Sequence, residues 1–258
     1  MTHDLIYEIK EDVAWITINR ESKRNAISRE MIEALLTHLE EIDQEDEVRA
    51  VCITGAGHKV FCAGADLGAG QGSGDKGSLT GPRTFARLLK RMTDYDKPMI
   101  ARVNGACLAG GLGLMLACDI AIASEDATFC TPEINVGIWP MMIGALMYRD
   151  IGRRQAMGMV LTGKRISARD ALQMGLITQM VEAERLDEEV GNLLAQMTVK
   201  SPLVIRIGKK AFRRMEDMPL NDAVDYLCGK LGEVMSTEDA AEGIKAFREK
   251  RQPKFKGR

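Results

Sequence analysis

The first residues of this chain that could do chemistry lie in two glycine-containing turns. The stretch VNGACLAGGLGLMLACD, residues 103–119, has four glycines in seventeen positions. Two of them, Gly110 and Gly111, are adjacent, and the only charge is Asp119 at the end. A glycine inside a helix costs roughly 1 kcal/mol against alanine. Glycines that open an apolar, helix-length segment therefore answer either to a close backbone neighbour or to a ligand that needs bare N–H groups. The stretch VFCAGADLG, residues 60–68, is a second tight turn followed by an acid. Two turns of this kind, each presenting backbone N–H groups near a helix start, could hold one oxygen that becomes negative, such as that of an enolate. Each such donor is worth about 2.7–4 kcal/mol of transition-state energy. Turns that merely pack under helices would leave the same pattern, and residue types alone leave the two readings open.

The elements that must position these turns are legible in part. VAWITINR alternates and is β-branched, so it predicts a strand. SREMIEALLTHLEEIDQ predicts an amphipathic helix capped by Ser28, with Ile32, Leu35, Leu36, Leu39 and Ile42 at helical spacing. VRAVCIT, PMIARVN and DIAIAS read as further strands. Strands alternating with helices through about residue 190 predict an α/β core. Beyond it, SPLVIRIGKKAFRRM, LNDAVDYLCGKLGEVM and TEDAAEGIKAFREK all read as helices. The division expected is a core over 1–195 and a helical region over 196–258. No internal repeat is visible. Residues 67–82, LGAGQGSGDKGSLTGP, are glycine-rich and nearly free of apolar residues, so a mobile loop, and with it a lid, is expected there. Its Gly72-x-Gly74-x-x-Gly77 matches a dinucleotide fingerprint in form only, since no apolar strand runs into it.

Composition narrows the function classes. The 258 residues are 45% apolar and 28% charged, with a formal charge of −2. Such a chain is not built to attract nucleic acid as a whole. A local exception is the basic tail KRQPKFKGR, five cations in nine residues; it is either a solvated end or a contact for phosphates. Cys52, Cys62, Cys107, Cys118, Cys130 and Cys228 form no CxxC pair, so reduced thiols in a cytoplasmic protein are expected, with neither disulfides nor a zinc site. Charges throughout the first twenty residues argue against a signal peptide, and no run of about 18 apolar residues predicts a membrane span. His3, His38 and His58 make no triad with a serine, and there is no G-x-S-x-G elbow.

FCAGADL, KPMIARVNGACLAGGLGLMLACDIAIAS, ATFCTPEINVGIWP, LTGKRISARDALQMGLI and GIKAFREKRQPKF, in that order, make the chain resemble the crotonase superfamily, the enoyl-CoA hydratase/isomerase family. The resemblance runs nearly end to end. It implies an α/β fold, a crotonase-like spiral of ββα turns with a C-terminal helical trimerisation region, and assembly as a trimer or dimer of trimers. It implies an acyl-CoA thioester substrate and no cofactor beyond the coenzyme A that the substrate carries. The backbone N–H groups that hold the thioester carbonyl match Ala65 and Gly110, with Gly111 beside it. Backbone around Ala63 and Ala65 matches the adenine site. Phe247 and Lys250 match C-terminal positions that contact CoA bound by the same or a neighbouring subunit. Asp66 belongs to the same stretch, although it and Asp119 read more simply as turn or cap acceptors.

The acids carry the choice of reaction. The resemblance assigns proton transfer to Glu133; read without it, Thr131, Pro132 and Glu133 are a routine helix start, though Gly137 and Pro140 keep any helix short. The second glutamate of the family's hydratases falls on Gly113, and an aspartate used by its dienoyl-CoA isomerases and dehalogenases falls on Met141. One carboxylate favours moving a proton between two carbons. The expectation is therefore an enzyme with a preference for double-bond isomerisation. The alternatives are an enoyl-CoA hydratase working with one glutamate, or a non-catalytic acyl-CoA-binding protein. Trp139, Met141, Met142, Ile143 and Met147 read as an apolar acyl pocket or as a core or subunit stripe.

Overall fold

The computed structural model describes residues 4–66 and 80–258. Ten strands follow in chain order: β1 (Leu5–Lys10), β2 (Val13–Ile18), β3 (Ala50–Gly55), β4 (Val60–Cys62), β5 (Met99–Val103), β6 (Ala106–Leu108), β7 (Ile120–Ser124), β8 (Thr128–Cys130), β9 (Ile166–Ser167) and β10 (Gln179–Val181). They form two sheets. The larger has the order β1-β2-β3-β5-β7-β10 and the smaller β4-β6-β8-β9. In the larger sheet only the β1–β2 pair is antiparallel.

The helices are α1 (Arg29–Asp43), α2 (Thr80–Thr93), α3 (Gly110–Leu116), α4 (Met141–Asp150), α5 (Arg153–Thr162), α6 (Ala168–Met174), α7 (Leu186–Thr198), α8 (Pro202–Met215), α9 (Leu220–Met235) and α10 (Glu238–Arg248). Three times in succession the chain lays one strand in the large sheet, one in the small sheet, and then a helix: β3-β4-α2, β5-β6-α3 and β7-β8-α4. This is the ββα spiral, a structural repeat that leaves no repeated sequence.

The central parallel strands of the large sheet are buried on both faces, as parallel strands are. Side chains alternate across it. Ala14, Ile16, Val51 and Ile53 join the main core, where Leu35, Leu36 and Leu39 of α1 also lie. Val13, Ala50, Cys52, Ile100 and Ile122 pack on Leu186, Val190 and Leu194 of α7. Each fully buried side chain of this kind contributes about 1.5–3 kcal/mol. Helix α1 begins where the sequence places it, with Ser28 accepting the Met31 N–H.

Residues 103–119 are not one helix. The chain turns at Asn104 and Gly105, runs through β6, and only then enters α3. The turn is forced by contact, since a Cβ on Gly105 would lie 2.3 Å from the Lys59 carbonyl carbon. Of the glycine-rich 67–82 stretch, residues 80–82 begin α2. The loop expected over 67–79, with Gly72, Gly74 and Gly77, lies outside the described residues.

Past β10 the chain is helical. Ser201 caps α8, accepting the Val204 N–H, and donates its hydroxyl to the buried Asp239 carboxylate at 2.6 Å. Asp239 also accepts the N–H groups of Lys256 and Gly257. The basic tail is thereby held by its backbone, and Arg251 pairs with Glu242 and Glu249. Among the described residues no helix is long and apolar enough to cross a membrane.

Candidate active site

The two turns singled out in the sequence meet in the fold. β4 pairs with β6, so the residues after each strand leave side by side. A Cβ on Gly64 would lie 2.5 Å from the Ala109 Cβ and 3.0 Å from the Gly110 amide nitrogen. Gly64 has φ +90°, which adds a second reason for glycine there. Ala109, at φ 49° and ψ −126°, holds a conformation that side chains rarely adopt. Such backbone persists where its surroundings over-determine it, and here the Ala109 N–H is held by the Cys130 carbonyl at 2.9 Å.

The geometry fixes where two amides point. The Gly64 carbonyl accepts the Ile27 N–H at 2.7 Å, and the Ile27 carbonyl accepts the Asp66 N–H at 2.9 Å. A trans peptide carries its C=O and N–H in opposite directions, so the Ala65 N–H points away from Ile27. In the second turn the Ala109 carbonyl accepts the Leu112 N–H at 2.9 Å inside α3. The Gly110 N–H therefore points outward from the helix start. Among the described residues neither the Ala65 nor the Gly110 N–H has an acceptor. Ile27 serves both turns, because its Cδ1 would be only 3.1 Å from a Cβ on Gly110.

Gly111 does different work from its neighbour. A Cβ there would lie 2.4 Å from the Cys62 carbonyl oxygen. Its lack of a side chain lets α3 pack on β4. The Ala63 N–H is donated to the Arg24 carbonyl, which leaves its carbonyl as the backbone group it can offer a ligand. Asp66 is bonded to protein through both its N–H and its carboxylate, which pairs with Arg20 at 3.0 Å. Asp119 accepts the Met99 N–H and pairs with Lys209, a joint between β5 and α8.

Glu133 follows β8, the strand whose last carbonyl holds Ala109. It sits in a short 3-10 helix, Pro132–Val136, which Gly137 ends at φ 73°. Thr131 stands in the cap position but makes no capping bond; its hydroxyl and Glu133 Oε2 are both buried without a partner. Burial pushes the Glu133 carboxyl above its ordinary value, against a smaller lowering by its own backbone N–H. A carboxyl with one buried, unbonded oxygen and a pKa raised by burial is a group that can both take and return a proton.

Gly113 is closed on the side where a second acid would stand. A Cβ there would meet Ile143 Cγ1 at 3.2 Å, Phe85 Cζ at 3.4 Å and Leu89 Cδ2 at 3.7 Å. The apolar stripe near Glu133 divides. Ile143 and Met147 are core residues and Met142 packs partly against them, while Trp139 is 38% and Met141 74% exposed. Phe247 on α10 is 85% exposed, and Lys250, just past that helix, is exposed too. All six cysteines are free; burial pushes the Cys62 thiol, which packs against Gly111, up to about 12.

Ile27 was not legible in the sequence as a neighbour of both turns, because it meets the first of them through backbone hydrogen bonds.

Comparison with known proteins gives one consistent result. The sequence model of the enoyl-CoA hydratase/isomerase family matches residues 8–258. The 2,3-dehydroadipyl-CoA hydratase of Escherichia coli is 34% identical, with 99% of each chain covered. The carnitinyl-CoA dehydratase of Salmonella typhimurium is 37% identical over 94% of each chain. Among solved structures, an enoyl-CoA hydratase from Bacillus anthracis superposes with a TM-score of 0.95 at 32% identity, covering 99% of this chain and all of that one.

Proposed function

The chain belongs to the enoyl-CoA hydratase/isomerase family, and on that premise we propose that it holds an acyl-CoA thioester by its carbonyl oxygen and moves a proton with Glu133 alone. The Ala65 and Gly110 N–H groups are the donors. As a proton leaves the carbon next to the thioester, charge grows on that oxygen, and fixed donors aimed there stabilise the enolate. Glu133 takes the proton from C2 of a 3-enoyl thioester and returns it at C4, which moves the double bond to C2–C3 with no other reactant. The observation that carries this reading is Glu133 itself: a carboxyl with a buried, unbonded oxygen, three residues after the Cys130 carbonyl that holds the Ala109 N–H, with Gly113 supplying no second acid.

Hydration is the second reading, supported by the hydratase and dehydratase names of the relatives. Glu133 would then take a proton from water as its oxygen attacks C3, and return one to C2. Incubating the protein with 3-enoyl- and 2-enoyl-CoA in deuterated water, and reading products by mass, separates the two. Isomerisation conserves composition apart from exchange, whereas hydration adds a water.

The assembly proposed is a trimer or a dimer of trimers. Leu220, Val224, Leu231 and Met235 on α9, with Phe212 on α8, are exposed apolar side chains in the single chain, and such a face supports contact with further copies. The exposed Phe247 and Lys250 are then available to a CoA bound by a neighbour.

A further inference from the structure

We infer that Arg20 is a positioning residue for the Ala65 amide, an inference that rests on the oxyanion reading of the site proposed above. Arg20 is far from both turns in sequence and its side chain is only 13% exposed. Its guanidinium joins three places at once. Nη1 donates to the Ala26 carbonyl at 2.5 Å, Nη2 donates to Asp66 Oδ2 at 3.0 Å, and Nε pairs with Asp4 at 3.0 Å. Ala26 and Asp66 are the immediate neighbours of Ile27 and Ala65, the two residues whose backbones bridge.

Arg20 therefore clips both strands of that bridge from one side. The bridge is what sets the direction of the Ala65 N–H, because the peptide that carries it is held by its carbonyl on Ile27. The segment bearing Ile27 is fixed from its other end by Asn25, fully buried, which accepts the Arg20 N–H and donates to the carbonyls of Ala56 and Val60. Val60 begins β4, the strand that runs into the Ala65 turn. Arg20 and Asn25 thus hold one rigid frame around the peptide, and neither needs to touch a substrate. A planar guanidinium with donors in a fixed fork suits this three-way joint, and lysine, a single point charge, does not.

The test uses Arg20→Lys and Asp66→Asn in the full chain. The readouts are circular dichroism for folding, kcat and KM for turnover, and the infrared carbonyl stretch of bound butyryl-CoA labelled with ¹³C at the thioester. In the unaltered protein the stretch should fall on binding, reporting a polarised carbonyl. Each folded variant should show a smaller fall and a kcat lower by about 10–100-fold, the scale of a donor misplaced by around 1 Å, with KM within about threefold. Asp66→Asn keeps the residue 66 N–H on Ile27 and weakens the side-chain partner of Arg20 Nη2, so it remains informative if Arg20→Lys does not fold. A wild-type stretch and wild-type kcat in a folded variant overturn the inference. No fall in the unaltered protein overturns the oxyanion reading, and this inference with it.

Discussion

Gly64 and Gly110 touch: the Gly64 Cα lies 3.6 Å from where a Cβ on Gly110 would stand, and a Cβ on Gly64 would lie 3.0 Å from the Gly110 amide nitrogen. Two turns far apart in the sequence are thus one structure. Gly64→Ala should drive Ala109 and Gly110 away and strain a backbone at φ +90°. A destabilisation of about 1–3 kcal/mol is expected by thermal melting. Turnover should fall by about 10²–10³, as when one oxyanion donor is lost. Wild-type turnover in Gly64→Ala would mean that the contact has no part in the reaction.

The raised pKa of Glu133 makes a prediction about stability. Its cause is burial, which disfavours the charged form. The folded state therefore binds the proton more tightly than the unfolded chain. The stability linked to this group is present below the unfolded carboxyl pKa and is lost as pH rises through the raised folded value. Glu133→Gln removes that loss. The variant should melt higher than the unaltered protein at pH 7–8, with the gap shrinking towards about pH 4. A lower melting temperature for the variant at pH 8 would show that the ionised carboxylate is well solvated or paired.

Gly113 can be tested by addition. Glutamate there must push on Ile143 Cγ1, 3.2 Å from the new Cβ. Alone, Gly113→Glu should cost about 1–3 kcal/mol, as overpacking does. Combined with Ile143→Ala, which opens the wall, it should recover stability and raise the rate of 2-enoyl-CoA hydration. If hydration is no faster in a stable double variant, the lack of a second acid is not what limits that reaction.

The exposed apolar face of α9 predicts assembly. Sedimentation should give a mass of three or six chains. Val224→Glu with Leu231→Glu, both on that face, should give single folded chains. An unaltered protein that sediments as one chain at micromolar concentration contradicts the assembly.

What the sequence made legible follows the length and regularity of each element. β2, β3, β5, β7 and α1 are visible because each keeps one pattern, alternating, continuously apolar or helical, over five or more residues. β4, β6 and β8 are three residues each, too short to show alternation, so the small sheet reads only as turns. That is why residues 103–119 looked like one helix-length segment. Glu133 and the two turns were visible from residue type and resemblance. The bridge from Ile27 to Ala65 was not, because hydrogen bonds between backbones leave no mark on side-chain pattern. A glycine required by a carbonyl 2.4 Å away, as Gly111 is, and a glycine required by a ligand are the same letter.

The central claim is that one carboxylate, Glu133, carries the proton while backbone N–H groups hold the oxygen. The most direct measurement follows Glu133→Gln and the unaltered protein side by side with a panel of enoyl-CoA thioesters in deuterated water, reading exchange, isomerisation and hydration by mass. The variant should fold and bind acyl-CoA nearly as before, since the donors are backbone. Every proton-transfer reaction the unaltered protein catalyses should slow by about 10²–10⁴-fold, the usual weight of general acid–base catalysis. Unchanged turnover in Glu133→Gln on any accepted substrate would contradict the account.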